Sequence, residues 1–468
     1  MAKKNALKNI IGKIHLYLGL ASGVVVFIVA ITGCFWVFQE EILGLVEVDR
    51  TVQKEDRAFI SPTKAKELAH KVIPGKHIHG TAYGRDTDPL EVIFYEPDPL
   101  FYQSVFLNPY SGEVLGTKNY RGGFFGFVLD GHLYLWLPRA IGSQVTSYGT
   151  MVFVLMLITG IILWWPKNKK GRRQRLKFDW KSTTRWRRKN FDLHAIMGFY
   201  ASVLALVLAF SGLVMAFDWI YFVTYKTWGG EKAPQFIIPN NISTATFDES
   251  GEALKPIDKL IPRLIAASPD YKSFEVHYPA TDSSSIYVET SFQEGVHYSS
   301  DYRFYDQHTL EEIDTPGIYG KYEDAKLADK VIRMNYDIHV GAIGGIFGKI
   351  LAFIISFITA SLPVTGFLLW WGRKNKKNDK SKVNKRAVSP EKMKRDQLVG
   401  QTAVVNTRGP VRAWFTRFFF LGVFIITIPM MAQAYSVFGR ARDKNSQTVL
   451  KTAVQLPTFT TYNSHKIK

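Results

Sequence analysis

The chain has 468 residues, with 59 Lys and Arg against 40 Asp and Glu, a formal net charge of +19 and a single cysteine, Cys34. One cysteine excludes an intramolecular disulfide. The basicity would suit a nucleic-acid binder, but it is gathered into patches that abut long apolar runs, which argues for a membrane protein with no nucleic-acid partner.

In chain order, Lys3, Lys4, Lys8 and Lys13 lead into the apolar run Ile14 to Phe38, the first predicted transmembrane helix, within residues 10–40. It exceeds the ~20 residues needed to cross a bilayer core. No small-residue cleavage site precedes Glu40 and Glu41, so the run reads as a retained span and not a signal peptide. Residues 41–121 have mixed charge and read as an outer domain. A helix starts at Pro62 behind the Ser61 cap. Strand-like LEVIFYE and QSVFLNP follow, then a turn at Tyr110-Ser111-Gly112-Glu113 and VLG. His77 and His79 are two residues apart and would share a strand face, which offers a metal site, although a solvated strand is the plainer reading.

Residues 122–166 hold His132 and the second span, Val145 to Trp165. The loop 167–192 is strongly basic, in the string PKNKKGRRQRLKFDWKSTTRWRRK. The third span, Leu193 to Phe217, lies in 193–219. A second outer domain, 220–335, repeats the helix-then-strands theme in IDKLIPRLIAASP, FEVHYPA, SIYVETS and YRFYDQ, with a turn at His308-Thr309. His339 and the fourth span, Ile343 to Trp371, lie in 336–372, ahead of a basic loop at 373–412. A fifth span, Phe418 to Phe438 in 413–438, is interrupted by Pro429 and leaves a tail at 439–468 whose Arg440, Arg442 and Lys444 sit awkwardly outside. The three basic stretches lie on one side of an alternating path, so the N-terminus and both basic loops are expected in the cytoplasm and both long loops outside. The expected fold is an all-α membrane bundle of four core helices and a fifth, with two α+β extracytoplasmic domains.

The chain also aligns with itself. Setting His15 on His194 brings Gly19 onto Gly198, Thr32-Gly33 onto Ser211-Gly212 and Phe38 onto Phe217 without a gap. Setting His132 on His339 brings Thr159-Gly160 onto Thr365-Gly366 and Trp164-Trp165 onto Trp370-Trp371 with one residue of slack. Span, outer domain and span therefore occur twice, as an internal duplication.

Of the 11 histidines, these four fall at matching points: His15 and His194 near the cytoplasmic face, His132 and His339 near the outer face. Ionisable groups at membrane depth are costly and usually functional. Paired neutral imidazoles suit axial ligation of haem in a bundle core, with Gly19, Gly198 and Gly341 among the small residues nearby making room for a macrocycle. Proton relay and metal-ion passage are the competing chemistries. There is no CxxCH, which excludes c-type attachment, and no GxGxxG, P-loop or CxxC pair, so electrons would come from a separate donor.

The strings HLYLGLASG…TGCFWVF, LDGHLYLWLP…TGIILWWPK, DLHAIMGFY…SGLVMAF and DIHVGAIGG…TGFLLWWGRK resemble the PepSY-associated transmembrane family of iron-regulated bacterial inner-membrane proteins. The string LNPYSGEVLG in the first outer segment is similar to PepSY domains; the second outer segment lacks a matching string. The resemblance covers roughly residues 10–373. It departs in Leu16, Leu133, Ala195 and Val340, where the family often has Arg or Thr. Members resembling ferric-siderophore reductases carry two haems held by histidines on four helices. The resemblance therefore implies two b-type haems on His15, His194, His132 and His339, a quinol or cytoplasmic reductase as donor, and a ferric siderophore or other outer acceptor. Two other classes stay open: a non-enzymatic PepSY regulator of a partner peptidase, and a proton or metal transporter.

Overall fold

The computed structural model describes residues 2–47, 50–166, 174–243 and 255–386. The expected fifth span lies outside the described residues. Among the described residues, four helices are long and apolar enough to cross a membrane: Ala6–Trp36, Arg139–Trp164, Trp186–Ala216 and Ala342–Arg373. They overlap the four principal predicted spans; the first, third and fourth run further into the basic stretches beside them, where Lys and Arg carry little penalty in a helix.

In the first half, α1 (Ala2–Trp36) leads through the short α2 (Gln39–Val46) to α3 (Pro62–Val72). Strands β1 (Ile78–Tyr83), β2 (Leu90–Pro97), β3 (Leu100–Leu107) and β4 (Val114–Asn119) follow, then α4 (Gly123–Tyr134) and α5 (Arg139–Trp164). The second half opens with α6 (Trp186–Ala216), which contains one π turn at Leu193–Met197, and α7 (Asp218–Thr227). Then come α8 (Leu260–Ala267), β5 (Ser273–His277), β6 (Ile286–Ser291), β7 (Asp301–Tyr305) and β8 (Glu312–Ile313). It closes with α9 (Leu327–Arg333), α10 (Asn335–Val340) and α11 (Gly345–Arg386). The Ser61 cap accepts from the Lys64 amide at 3.3 Å with Pro62 behind it, so α3 starts where its sequence signals predict.

The two long segments between spans, 41–121 and 220–335, do not build separate sheets. They share one antiparallel sheet of eight strands in the order β4-β3-β2-β1-β5-β6-β7-β8. The join is β1 on β5, with Gly80 opposite His277 and Tyr83 opposite Phe274. One apolar core serves both segments: Ala65 and Ala69 of α3 and Leu260, Ile261 and Leu264 of α8 lie with Val92, Phe94, Phe274 and Val276 of the central strands. Either segment alone would leave a strand edge open and half of that core exposed, which is the physical reason for fusing them.

The chain forms two compact units. Among the described residues, one comprises 2–31, 151–166, 174–206 and 355–386; the other comprises 32–47, 50–150, 207–243 and 255–354 and holds the whole sheet.

Candidate functional site

The structure brings the four sequence-predicted histidines together as two pairs, one in each unit. In the first unit, His15 of α1 meets His194, with ring centroids 6.4 Å apart. His194 sits in the π turn of α6, a widened turn of the kind often found at functional sites. In the second unit, His132 near the end of α4 meets His339 in α10, with centroids 6.1 Å apart.

Each ring is held through Nδ1 by a hydroxyl. Thr159 Oγ1 lies 2.9 Å from His15 Nδ1, and Thr365 Oγ1 lies 2.9 Å from His194 Nδ1. Thr32 Oγ1 lies 3.2 Å from His132 Nδ1, and Ser211 Oγ lies 3.0 Å from His339 Nδ1. Three of these hydroxyls also have a backbone carbonyl within hydrogen-bond reach. Thr159 donates to the Leu155 carbonyl at 2.8 Å, Thr365 to the Ser361 carbonyl at 3.0 Å and Ser211 to the Leu208 carbonyl at 2.9 Å. A hydroxyl that donates to its carbonyl accepts from the imidazole, and Nδ1 then carries the hydrogen. His339 Nδ1 also lies 3.0 Å from the Leu208 carbonyl, which can only accept. In the neutral tautomer with its hydrogen on Nδ1, the lone pair lies on Nε2. Metal-ligating histidines are oriented in this way, with the second nitrogen donating to a fixed acceptor.

Each of these hydroxyl residues precedes a glycine in the sequence, and three of the glycines face the rings directly. A Cβ on Gly160 would lie 3.3 Å from His15 Cε1, one on Gly366 3.2 Å from His194 Cε1, and one on Gly212 3.1 Å from His339 Cε1. The hydroxyl-glycine dipeptide thus supplies an acceptor and clears the ring's approach. Three of the glycines near the histidines are themselves closely approached. Gly19 meets Met156, Gly198 meets Leu362 and Gly341 meets the Gly348 backbone, so they are points of close helix and backbone approach.

The second pair needs more support, because its histidines lie on short helices. After α4 the chain reverses through Leu135 and Trp136, both in the left-handed region at φ 54° and 56°. The Trp136 indole donates to the Phe127 carbonyl at 2.9 Å and stacks on the Phe127 ring. Its ring lies where a Cβ on Gly131 would be, at 2.4 Å, so the residue before His132 has to be glycine. In α10, buried Asp337 accepts from the Tyr298 amide at 2.8 Å and the His297 amide at 3.2 Å, which ties the helix carrying His339 to that loop. Burial pushes the Asp337 carboxyl above its ordinary range. Asp130 pairs with Arg121, and buried Asp192 accepts from Arg188 Nε at 2.9 Å and the Trp180 indole at 3.1 Å. The sequence reading missed these carboxylates and the hydroxyls, though a repeated Asp-x-His before three of the four histidines signals the former.

The arrangement can be tested for haem iron. A first-row metal ion bonds imidazole nitrogen at about 2.0 Å, and that nitrogen lies about 1.1 Å from the ring centroid, so two imidazoles sharing one ion would have centroids up to about 6.2 Å apart. The pairs at 6.4 and 6.1 Å lie close to that limit.

The chain was also compared with known proteins. Residues 13–373 match the family model described as the PepSY-associated TM region. No curated protein matches closely enough to count as a relative.

Proposed function

The chain belongs to the PepSY-associated transmembrane family, and from that premise we propose that it carries electrons through two bis-His b-type haems to an extracytoplasmic acceptor, the acceptor being a ferric siderophore. The observation that carries this reading is the pair of imidazole pairs, each close enough for its two rings to hold one metal ion between them and each with Nδ1 beside a hydroxyl. Bound haem supplies a one-electron carrier at each pair. His15 and His194 would hold one group, His132 and His339 the other. Thr159, Thr365, Thr32 and Ser211 set the ring orientation and raise the basicity of Nε2.

On this reading the chain is a duplicated bacterial inner-membrane protein with its N-terminus in the cytoplasm and its sheet outside, where iron arrives chelated. Hard oxygen chelators hold Fe(III) far more tightly than Fe(II), so reduction there releases iron. A small recess lined by Trp36, Glu40, His297, Tyr336 and Lys349 also reaches Val340, the neighbour of His339. Lys349 holds both Glu40 and Glu41 at 2.8 Å there and leaves a polar rim. The donor would be a quinol or a cytoplasmic reductase.

The test is a reduced-minus-oxidised spectrum of the purified protein with haem quantified. Two b-type haems per chain are expected, reoxidised faster by ferric siderophores than by buffer under anaerobic stopped flow. A colourless protein that binds no haem removes the reading. Two haems that only another acceptor reoxidises would leave electron transfer standing and remove the siderophore.

A further inference from the structure

The middle of the sheet holds a second set of metal-binding side chains, and neither the histidine pairs nor the family match accounts for it. β1 begins with a bulge: Ile78 pairs with Phe94, but Gly80 pairs with Ile93, so the register shifts between them. A bulge re-aims a side chain. Here it sets His79 edge-on to His277 of β5, with centroids 4.7 Å apart and planes at 82°. Glu275 is two residues before His277 and shares its face. One ligand atom from each of His79, Glu275 and His277 lies within 4.8 Å of the others. The sequence pairing of His77 with His79 fails for the same reason: the alternation it relied on breaks at the bulge, and His77 is exposed, with its amide donating to Glu96 Oε1 at 3.1 Å.

Two further observations point to a ligand. His277 is 3% exposed and stacks on Tyr287 at 3.8 Å, yet neither of its ring nitrogens makes a hydrogen bond. Its Nε2 lies 3.3 Å from Glu275 Oε1, which is contact without hydrogen-bond geometry. An imidazole buried with both nitrogens unpaired is costly, and a sheet interior would favour an apolar residue there. The second observation is Gly80. A Cβ at that position would stand 3.2 Å from both His277 Nδ1 and Glu275 Oε1, so glycine keeps open the space that these two donors border.

We propose that His79, Glu275 and His277 bind one divalent first-row transition-metal ion. Two imidazoles and one carboxylate form a borderline nitrogen and oxygen donor set, which selects such ions over calcium or magnesium. Bonds of about 2.0–2.2 Å draw the three side chains inward from their present spacing by small rotations. Three protein ligands leave coordination positions open, as in exchangeable or catalytic sites and unlike closed structural ones. Half-buried His79 marks the way in. The ligands come from β1 and β5, so the ion bridges the join between the two halves of the sheet.

The test uses the full-length protein in detergent, stripped with chelator and titrated with Zn2+ by calorimetry, with zinc counted by elemental analysis after gel filtration. The expected result is one Zn2+ per chain beyond any bound by the membrane histidines, retained in a His15→Ala/His132→Ala variant and in His77→Ala. His277→Ala should lose it, and Glu275→Gln and Gly80→Ala should each weaken it at least tenfold. Zn2+ should raise the thermal midpoint of the wild type and not of these variants. Glu275→Gln and Gly80→Ala leave His277 in place, so they report on binding even where His277→Ala fails to fold. Zn2+ binding in both at wild-type affinity, or none in the wild type, overturns the site.

Discussion

The hairpin turns at the two ends of the sheet, residues 108–113 and 306–311, have the same backbone and almost no sequence in common. In each, the first amide donates to the sixth carbonyl and the fifth amide to the first carbonyl: Asn108 with Glu113 and Gly112, Asp306 with Glu311 and Leu310. In each, the first side chain accepts from the third and fourth amides. One turn places Gly112 at φ 76°; the other forces Leu310 to φ 59°. Leu310 offsets that strain because its side chain is 8% exposed within the shared core and its carbonyl accepts from Arg263 at 2.8 Å. Hydrogen bonds at a fixed place in the fold are therefore kept while the residues that supply them change.

The histidine pairs obey the same rule, with Thr or Ser as the hydroxyl, and removing parts from each pair tests it most strongly. His15→Ala or His194→Ala should remove one of two haems and spare the other, as should His132→Ala or His339→Ala, measured by haem content per chain. Full content in both members of either pair would break the pairing. Removing the hydroxyl alone, in Thr159→Val or Ser211→Ala, should weaken haem retention at that pair by about 10–100-fold and alter its midpoint potential, as loss of such an outer partner does elsewhere. The potential separates this role from a merely structural one.

Smaller effects sharpen the contrast between halves. Gly131→Ala drives a methyl into the Trp136 ring and should cost about 1–3 kcal/mol, seen as a lower thermal midpoint. At the matching position before His339 the second half has Ile338, so no such sensitivity is expected there. Gly112→Ala should cost about 1–2 kcal/mol for its left-handed backbone. Leu310→Gly relieves a similar strain but gives up a buried side chain of about 2–3 kcal/mol, so it too should destabilise.

The smallest effect is acid sensitivity. Burial by itself would raise the Asp306 carboxyl, but donors from Ser243, Thr309 and His308 outweigh it and hold the group below its ordinary range. A depressed carboxyl contributes stability that is present above its unfolded value, about 3.9, and is lost as pH falls toward its folded value. Asn108 in the other turn does not titrate. Amide exchange at His308 and Thr309 should therefore quicken below about pH 4 relative to Tyr110 and Ser111. In Asp306→Asn that difference should vanish.

The spans were legible because a bilayer demands one long apolar run per crossing, and the four histidines because they recur at matching offsets within those runs. The Ser61 cap and most strands followed from local signals. What escaped were features made by distant residues. The join of β1 to β5 leaves no period in the sequence, and the bulge at His79 breaks the alternation on which strand faces are read. The hydroxyl-glycine dipeptides were visible as repeat markers, but their use as ring holders depends on helices meeting across gaps of 100 to 171 residues.

The seam between the halves also sets a timetable for synthesis. Thr81 and Tyr278, whose hydroxyls bond across it at 2.6 Å, are 197 residues apart. At about 5–20 residues per second, β1 waits roughly 10–40 s for its partner strand. Throughout that interval the first half of the sheet presents a bare strand edge, a template for pairing with the wrong chain. A companion that covers this edge, or rapid delivery of the second pair of spans, would guard the yield of folded protein, and a pause engineered between α5 and β5 should lower it.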